Sequence, residues 1–179
     1  MPESAHWNLA FRSELRQPFS LEAISQAFTD LLSRHPILTA AFPTDSSEDK
    51  QHQIPSSPQK DLIQNFTVSS FDEITPKLQE LHSSLSFDEK LVGLALFQNS
   101  AGKQTIVFWA HHLLVDPSSL NIIHEEFGQL LAQTPLPPVS TSFASHISSL
   151  ERKAIEPETV STLPSVSYTH LTLPTILLV

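Results

Sequence analysis

The stretch Thr105-Ile-Val-Phe-Trp-Ala-His-His-Leu-Leu-Val-Asp116 decides the fold of this chain. Its first half is a continuous run of apolar, mostly β-branched and aromatic residues, which is typical of a buried strand. His111 and His112 follow this run, and Asp116 comes four residues after the second histidine. An imidazole exchanges protons near neutral pH, and the end of a strand holds it within the small tolerance that catalysis requires. The segment is therefore a candidate acid/base site.

Alternative roles exist for each polar residue of this segment. Both histidines can be hydrogen-bonded core residues rather than catalytic ones. A zinc site made of His111, His112, Asp116 and His124 is disfavoured, because adjacent residues at a strand end point to opposite faces. Asp116 can orient an imidazole, cap backbone N–H groups, or pair with an arginine such as Arg34.

The flanking sequence predicts a sheet. Residues 91–97 and 103–110 are strand-like runs joined by Asn-Ser-Ala-Gly, which predicts an antiparallel hairpin. Apolar and polar residues alternate over residues 7–15, which predicts a third strand with one apolar face. Residues 37–42 and 62–69 are two further strand candidates, and the Ser-, Asp- and Pro-rich residues 43–60 between them predict a loop.

Segments in which apolar residues have helical spacing lie between and after these strands. The clearest helix begins after Ser20 as N-cap and ends at Arg34 and His35, before Pro36. Others are predicted from Thr75, from Ser118 or Ser119 to about Gln133, and over residues 142–155. The chain is therefore predicted to be α/β (α+β), with a mixed, mostly antiparallel sheet packed with helices.

Composition limits the possible partners. The 179 residues carry 10 Lys and Arg against 19 Asp and Glu, and the four arginines are scattered, which disfavours nucleic acid as a partner. The chain has no cysteine, so neither a disulfide framework nor a thiolate metal site is available. No apolar run approaches the roughly 20 residues of a membrane span, and no signal peptide is recognisable at the start. We expect a soluble, cytoplasmic protein with no membrane contact.

Two stretches together resemble the condensation-domain superfamily of nonribosomal peptide synthetases. Ala27-Phe-Thr-Asp-Leu-Leu-Ser-Arg-His-Pro-Ile-Leu-Thr-Ala-Ala-Phe42 is similar to the family's helix, Arg-His and strand signature. His111-His-Leu-Leu-Val-Asp-Pro117 looks like its His-His-x-x-x-Asp-Gly motif, at the expected separation from the first stretch. The resemblance covers nearly all of residues 5–155 and implies a chloramphenicol-acetyltransferase-like lobe.

The resemblance also implies roles for particular residues. It makes His112 the catalytic histidine, and it makes His111, Asp116 and Arg34 structural or supporting residues. The implied activity is peptide-bond formation or Cα epimerisation on aminoacyl or peptidyl thioesters. Carrier domains bring these substrates on phosphopantetheine, and no metal or directly bound cofactor is implied. The expected partners are carrier domains, adjacent synthetase modules and a C-terminal lobe, which in epimerising members carries a second acid/base, a glutamate.

Pro117 departs from the family pattern, which has glycine at this position. Proline fixes φ near −65° and lacks an N–H, so a turn that needs positive φ at this position is excluded. Some epimerisation-type members also lack the glycine, and Asp116-Pro-Ser-Ser-Leu120 is similar to their Asp-x-x-Ser-Trp stretch, which favours epimerisation. A non-catalytic docking domain of the same superfamily and a stand-alone CoA-dependent acyltransferase remain alternatives.

The end of the sequence has a different character. Val166-Ser-Tyr-Thr-His-Leu-Thr-Leu-Pro-Thr175 looks like the translation of a transposon-end sequencing adapter, and the alternative is an ordinary β-rich C-terminus. We therefore expect the N-terminal lobe to occupy residues 1–164, with residues 165–179 not native. The resemblance implies that the reaction takes place in a tunnel between two lobes. Because one of these lobes would then be missing, the chain is expected to be inactive alone.

Overall fold

A computed structural model describes residues 7–40, 42, 62–82, 85 and 90–162 of the chain. Two compact units divide after Pro137. The loop predicted over residues 43–60 and the adapter-like residues 165–179 both lie outside the described residues.

Four strands form one mixed sheet in the first unit. They are β1 (Asn8–Glu14), β2 (Ile63–Val68), β3 (Val92–Asn99) and β4 (Gln104–His111), in the spatial order β1-β4-β3-β2. β4 pairs antiparallel with both β1 and β3, whereas β2 pairs parallel with β3. The predicted mixed and mostly antiparallel sheet is confirmed.

The β3–β4 hairpin turns where the sequence predicts it. The Asn99 side-chain oxygen accepts hydrogen bonds from the backbone N–H groups of Ala101 and Lys103, each at 3.0 Å. Gly102 has φ of +77°, a left-handed conformation that glycine adopts without a steric penalty. The turn is therefore specified locally, and it sets the register in which β4 runs back through the middle of the sheet.

Helices cover the two faces of the sheet, and a further helix lies in the second unit. They are α1 (Leu21–Arg34), α2 (Ile74–His82), α3 (Pro117–Leu131) and, in the second unit, α4 (Phe143–Ala154). The apolar faces of α1 and α3 pack with alternate residues of the sheet in one core cluster, and α2 packs with the other residues in a second cluster. Every residue of β4 is buried, as expected for a strand covered on both faces.

One local prediction is wrong, and another is confirmed except for its start. The strand predicted over residues 37–42 is a 3₁₀ turn, Pro36–Thr39, because Leu38 and Ala40 donate their N–H groups to carbonyls three residues back instead of to a sheet. The helix predicted to start at Thr75 is present as Ile74–His82, and a 3₁₀ turn, Phe71–Glu73, which Ser70 caps, precedes it. At both places hydrogen bonds between near neighbours in the chain determine the local conformation.

Gly93 and Trp109 pair directly across β3 and β4, and the indole covers the glycine. A Cβ atom at Gly93 would lie 2.6 Å from Cε2 of Trp109 and nearer still to Cζ2. Trp109 is fully buried. This close approach needs a residue without a side chain, so the packing of the α2 face depends on a glycine at this position.

The second unit contains α4, which Ser142 caps by accepting a hydrogen bond from the N–H of Ser145 at 3.1 Å. Its large apolar side chains, Phe143, Ile147 and Leu150, are exposed and follow helical spacing. Among the helices that the structure describes, none is long and apolar enough to cross a membrane.

Candidate active site at the end of β4

Backbone hydrogen bonds from both sides fix the end of β4. The N–H of His111 donates to the carbonyl of Leu91 at 2.8 Å, and the N–H of His112 donates to the carbonyl of Trp7 at 2.6 Å. The first bond comes from the β3 side and the second from the β1 side. The histidine pair is therefore held by the centre of the sheet, and not by a free loop.

The two histidines have different environments. His111 is buried, with 7% of its surface exposed, and its Nδ1 accepts a hydrogen bond from the N–H of Leu113 at 3.0 Å. Its carbonyl accepts from the N–H of Leu114, which closes the turn. His112 is exposed. As expected from strand geometry, the side chains diverge: His111 stabilises the turn, and His112 is accessible to a reactant.

Asp116 is the N-cap of α3. Its Oδ1 accepts hydrogen bonds from the backbone N–H and the hydroxyl of Ser119, both at 2.7 Å. The prediction of Ser118 or Ser119 as the cap is therefore wrong, because the helix begins earlier and the side chain of Asp116 accepts the free N–H of Ser119. Pro117 occupies the first position of the helix, where no intrahelical N–H is needed and φ near −65° is already helical. The turn accepts proline without strain.

The carboxyl of Asp116 is held in its ionised form. The hydrogen bonds from the hydroxyl and N–H of Ser119 hold the pKa of Asp116 below its usual value, and the nearby charge of His112 lowers it further. A lowered folded-state pKa contributes stability that is present above the unfolded pKa and is lost as the pH falls through the folded pKa.

We expect Asp116→Ala to lower the unfolding temperature at pH 7, because the helix loses its cap. Asp116→Asn should retain much of the cap while removing the charge. Thermal unfolding followed by circular dichroism between pH 7 and pH 3 measures both effects. The difference between the wild type and Asp116→Asn should shrink as the pH falls, and a difference that grows with acidity would contradict the assignment.

Arg34 lies at the end of α1 and contacts α3 rather than Asp116. Its Nε donates to Oε2 of Glu126 at 2.9 Å, and His35 Nε2 contacts the same oxygen at 2.5 Å. The suggested Arg34–Asp116 pair is wrong: α3 carries a nearer carboxylate, and Asp116 is engaged in capping. The observed role of Arg34 is to join α1 to α3 through Glu126.

Removing this contact should weaken the attachment of α3 to α1. We expect Glu126→Ala to lower the free energy of unfolding by about 1.5–3 kcal/mol, the range for hydrogen bonds to charged groups, because only 14% of its side chain is exposed. Glu125→Ala is the matched control, since the adjacent Glu125 is exposed and should change stability little. Urea denaturation measures both. Equal losses in the two variants would show that the ion pair contributes nothing specific.

Sequence reasoning did not single out Glu126, and it assigned Trp7 only to an apolar strand face. The signal that could have indicated Glu126 is the pair of adjacent basic residues Arg34 and His35 at the end of α1. His124 packs against the Phe11 ring, with ring centroids 4.6 Å apart, and does not join His111 or His112. Over the residues that the structure describes, no group of three or more possible ligands could hold a metal ion.

A cavity of about 410 Å³ lies elsewhere in the first unit. Its walls come from Ala23, Ala27 and Asp30 of α1 and from Leu130, Leu131 and Leu136 at and beyond the end of α3. His111, His112 and Asp116 do not line it. This cavity is therefore separate from the candidate active site.

The first unit has three layers, and its His-His-x-x-x-Asp turn joins an inner strand to a covering helix. Its likeness to solved condensation-type domains gives it the chloramphenicol-acetyltransferase-like fold. The chain belongs to the condensation-domain family, whose family model, described as "Condensation domain", matches residues 1–161.

Known relatives and solved structures agree with this assignment. The chain is 28% identical over 150 residues to nonribosomal peptide synthetase 5 of Gibberella zeae, covering 84% of this chain and 1% of the synthetase. It is 26% identical over 160 residues to an NRPS-like tryptophan epimerase of Fusarium equiseti, covering 86% of this chain and 11% of that protein.

The crystal structure of the epimerization domain from the third module of tyrocidine synthetase B shares the fold, with a TM-score of 0.82 and 22% identity. That match covers 94% of this chain and 40% of the solved chain. The protein therefore corresponds to less than half of a solved domain and to a small part of each multidomain relative.

Proposed function

We propose that this chain is the histidine-bearing lobe of a domain that condenses or epimerises aminoacyl or peptidyl thioesters. Carrier domains would deliver these thioesters on phosphopantetheine arms. The observation that carries the proposal is the position of His112: its imidazole is exposed, while its backbone is fixed by the 2.6 Å hydrogen bond to Trp7. A general base needs this combination of access and fixed geometry.

His112 would act as the acid/base residue in either reaction. In epimerisation, its imidazole takes the proton from Cα, the electron pair moves into the thioester carbonyl as an enolate, and a second acid returns a proton to the opposite face. In condensation, the amine of one substrate attacks the thioester carbonyl of the other, His112 accepts the amine proton, and the pantetheine thiolate leaves. His111 and Asp116 hold the turn in both reactions.

Epimerisation is the preferred assignment. One relative is named as an epimerase, and the Asp116-Pro-Ser-Ser-Leu120 stretch is similar to the corresponding stretch of epimerising members. The non-catalytic docking alternative was favoured by Pro117 alone. Because Pro117 begins α3 without strain, that observation no longer favours it.

On this proposal the second acid/base residue belongs to a second lobe, so we expect the 179-residue chain alone not to turn over. A domain that joins this lobe to a second lobe of the family tests the assignment. Deuterium incorporated from D₂O at Cα of a carrier-bound residue, with no peptide product, supports epimerisation. Peptide product without deuterium supports condensation. Neither product from a folded, carrier-loaded domain would contradict both.

A further inference from the structure

Trp7 lies opposite His112, where β1 begins and β4 ends. β1 and β4 pair with Asn8 opposite His111, and the hydrogen bond from the His112 N–H to the Trp7 carbonyl continues the ladder by one pair. Residues directly opposite in an antiparallel ladder share a face, with Cβ atoms about 4.5–5.5 Å apart. On this register the indole of Trp7 and the imidazole of His112 are placed on the same face of the sheet.

Two large apolar residues adjoin His112, one across the sheet and one along the chain, and both are exposed. Trp7 is 69% exposed, and Leu113, the next residue along the chain, is 51% exposed. Tryptophan is highly buried on average in folded proteins, so an indole with this exposure is unusual. The surface around the imidazole is thus apolar on the β1 side and on the side that leads into α3.

The charge near this surface is negative. Asp116 lies in the same turn as His112, and its hydrogen bonds to Ser119 keep it ionised. The carboxylate of Asp116 would repel a substrate side chain that places a second carboxylate close to His112. Apolar and aromatic groups would instead bury surface against Trp7 and Leu113.

From this arrangement we infer that Trp7 and Leu113 form a side-chain subsite beside His112, which selects aminoacyl thioesters with an aromatic or apolar side chain. The inference rests on the proposed function and specifies its substrate class. The backbone carbonyl of Trp7 holds His112, and any residue at position 7 would supply that carbonyl. On this inference the indole of Trp7 contacts the substrate.

Binding of two matched probes to the full chain tests this inference. Phenylalanyl-pantetheine and glutamyl-pantetheine amides carry an amide in place of the reactive thioester, so they are not consumed. The chain has two tryptophans, and Trp109 is fully buried, so a change in fluorescence on ligand binding reports mainly on Trp7. We expect the phenylalanyl probe to bind at least tenfold more tightly than the glutamyl probe and to change the Trp7 emission.

Trp7→Ala should weaken binding of the phenylalanyl probe about tenfold, equivalent to about 1.4 kcal/mol, and leave the glutamyl probe unchanged. Calorimetry measures affinity in this variant, where the fluorescent reporter is absent. Leu21→Ala is the matched control. Leu21 is also an exposed apolar residue, at 37%, but lies near Phe19, whose N–H donates to Gln104 at the opposite end of β4. The Leu21→Ala variant should bind both probes with the same affinity as the wild type.

Three results would overturn the inference. They are equal affinity for the two probes, unchanged affinity in Trp7→Ala, or no binding of the phenylalanyl probe to the folded wild type. The proposed function fails on different evidence, namely the absence of both proton exchange and peptide formation in the two-lobe domain. Selective binding that depends on Trp7, without either reaction, would retain the subsite and overturn the catalytic proposal.

Discussion

Replacing His112 with alanine in the two-lobe domain is expected to lower the rate of Cα proton exchange by about 10²–10⁴-fold, the usual contribution of a positioned acid/base residue. The loss should appear in kcat, because the imidazole acts on the proton in the transition state and contributes little to binding. Deuterium incorporation under single-turnover conditions, followed by mass spectrometry of the released residue, measures it.

The His112→Ala variant should remain folded, since His112 is exposed and its backbone N–H still donates to Trp7. His111→Ala is the informative comparison. That change removes the acceptor for the Leu113 N–H in a buried position, so it should lower the unfolding temperature as well as the rate. Full exchange activity in a folded His112→Ala domain would rule out His112 as the base.

Gly93→Ala is expected to destabilise the first unit by about 1–3 kcal/mol, although it adds a single methyl group. The new Cβ atom would overlap the indole of Trp109, which is fully buried in the cluster that α2 forms with the sheet. Interiors packed at crystal-like density absorb such an overlap only by shifting side chains or backbone. Urea denaturation of the whole chain measures the loss.

Gly128→Ala is the matched control for this change. Gly128 lies within α3, and a Cβ atom at this position would meet nothing within 4 Å. Alanine favours helix over glycine by up to about 1 kcal/mol, so this substitution should stabilise the chain. The same chemical change is therefore expected to have opposite signs at the two positions.

A double-mutant cycle with Trp109→Phe shows whether the indole causes the effect. Phenylalanine is smaller, so the cost of Gly93→Ala should be lower in the Trp109→Phe background than in the wild type. Additive losses would mean that the destabilisation at Gly93 has another origin, such as the sheet backbone.

Local sequence signals correctly predicted most of the helices and strands. Ser20 caps α1, Pro36 marks its end, and the Asn-Ser-Ala-Gly turn joins β3 to β4, because each is a conformational preference of a few adjacent residues. Residues 37–42 were wrongly predicted as a strand because their composition suits one, whereas the structure forms a 3₁₀ turn with Leu38 packed in the core. A strand needs a partner, and composition cannot show whether one is available.

The candidate site also has some features that the local sequence predicts and others that only the tertiary structure shows. The sequence by itself determined that two histidines end a buried strand and that their side chains diverge, because strand periodicity is local. It left the role of Asp116 open and placed the start of the next helix at Ser118 or Ser119, whereas Asp116 is the cap. Tertiary structure alone decided which groups surround the histidines. Folding brings Trp7 to His112 across the sheet and pairs Glu126 with Arg34 and His35. These contacts join residues far apart in the chain, so only the packing of strands and helices could fix them.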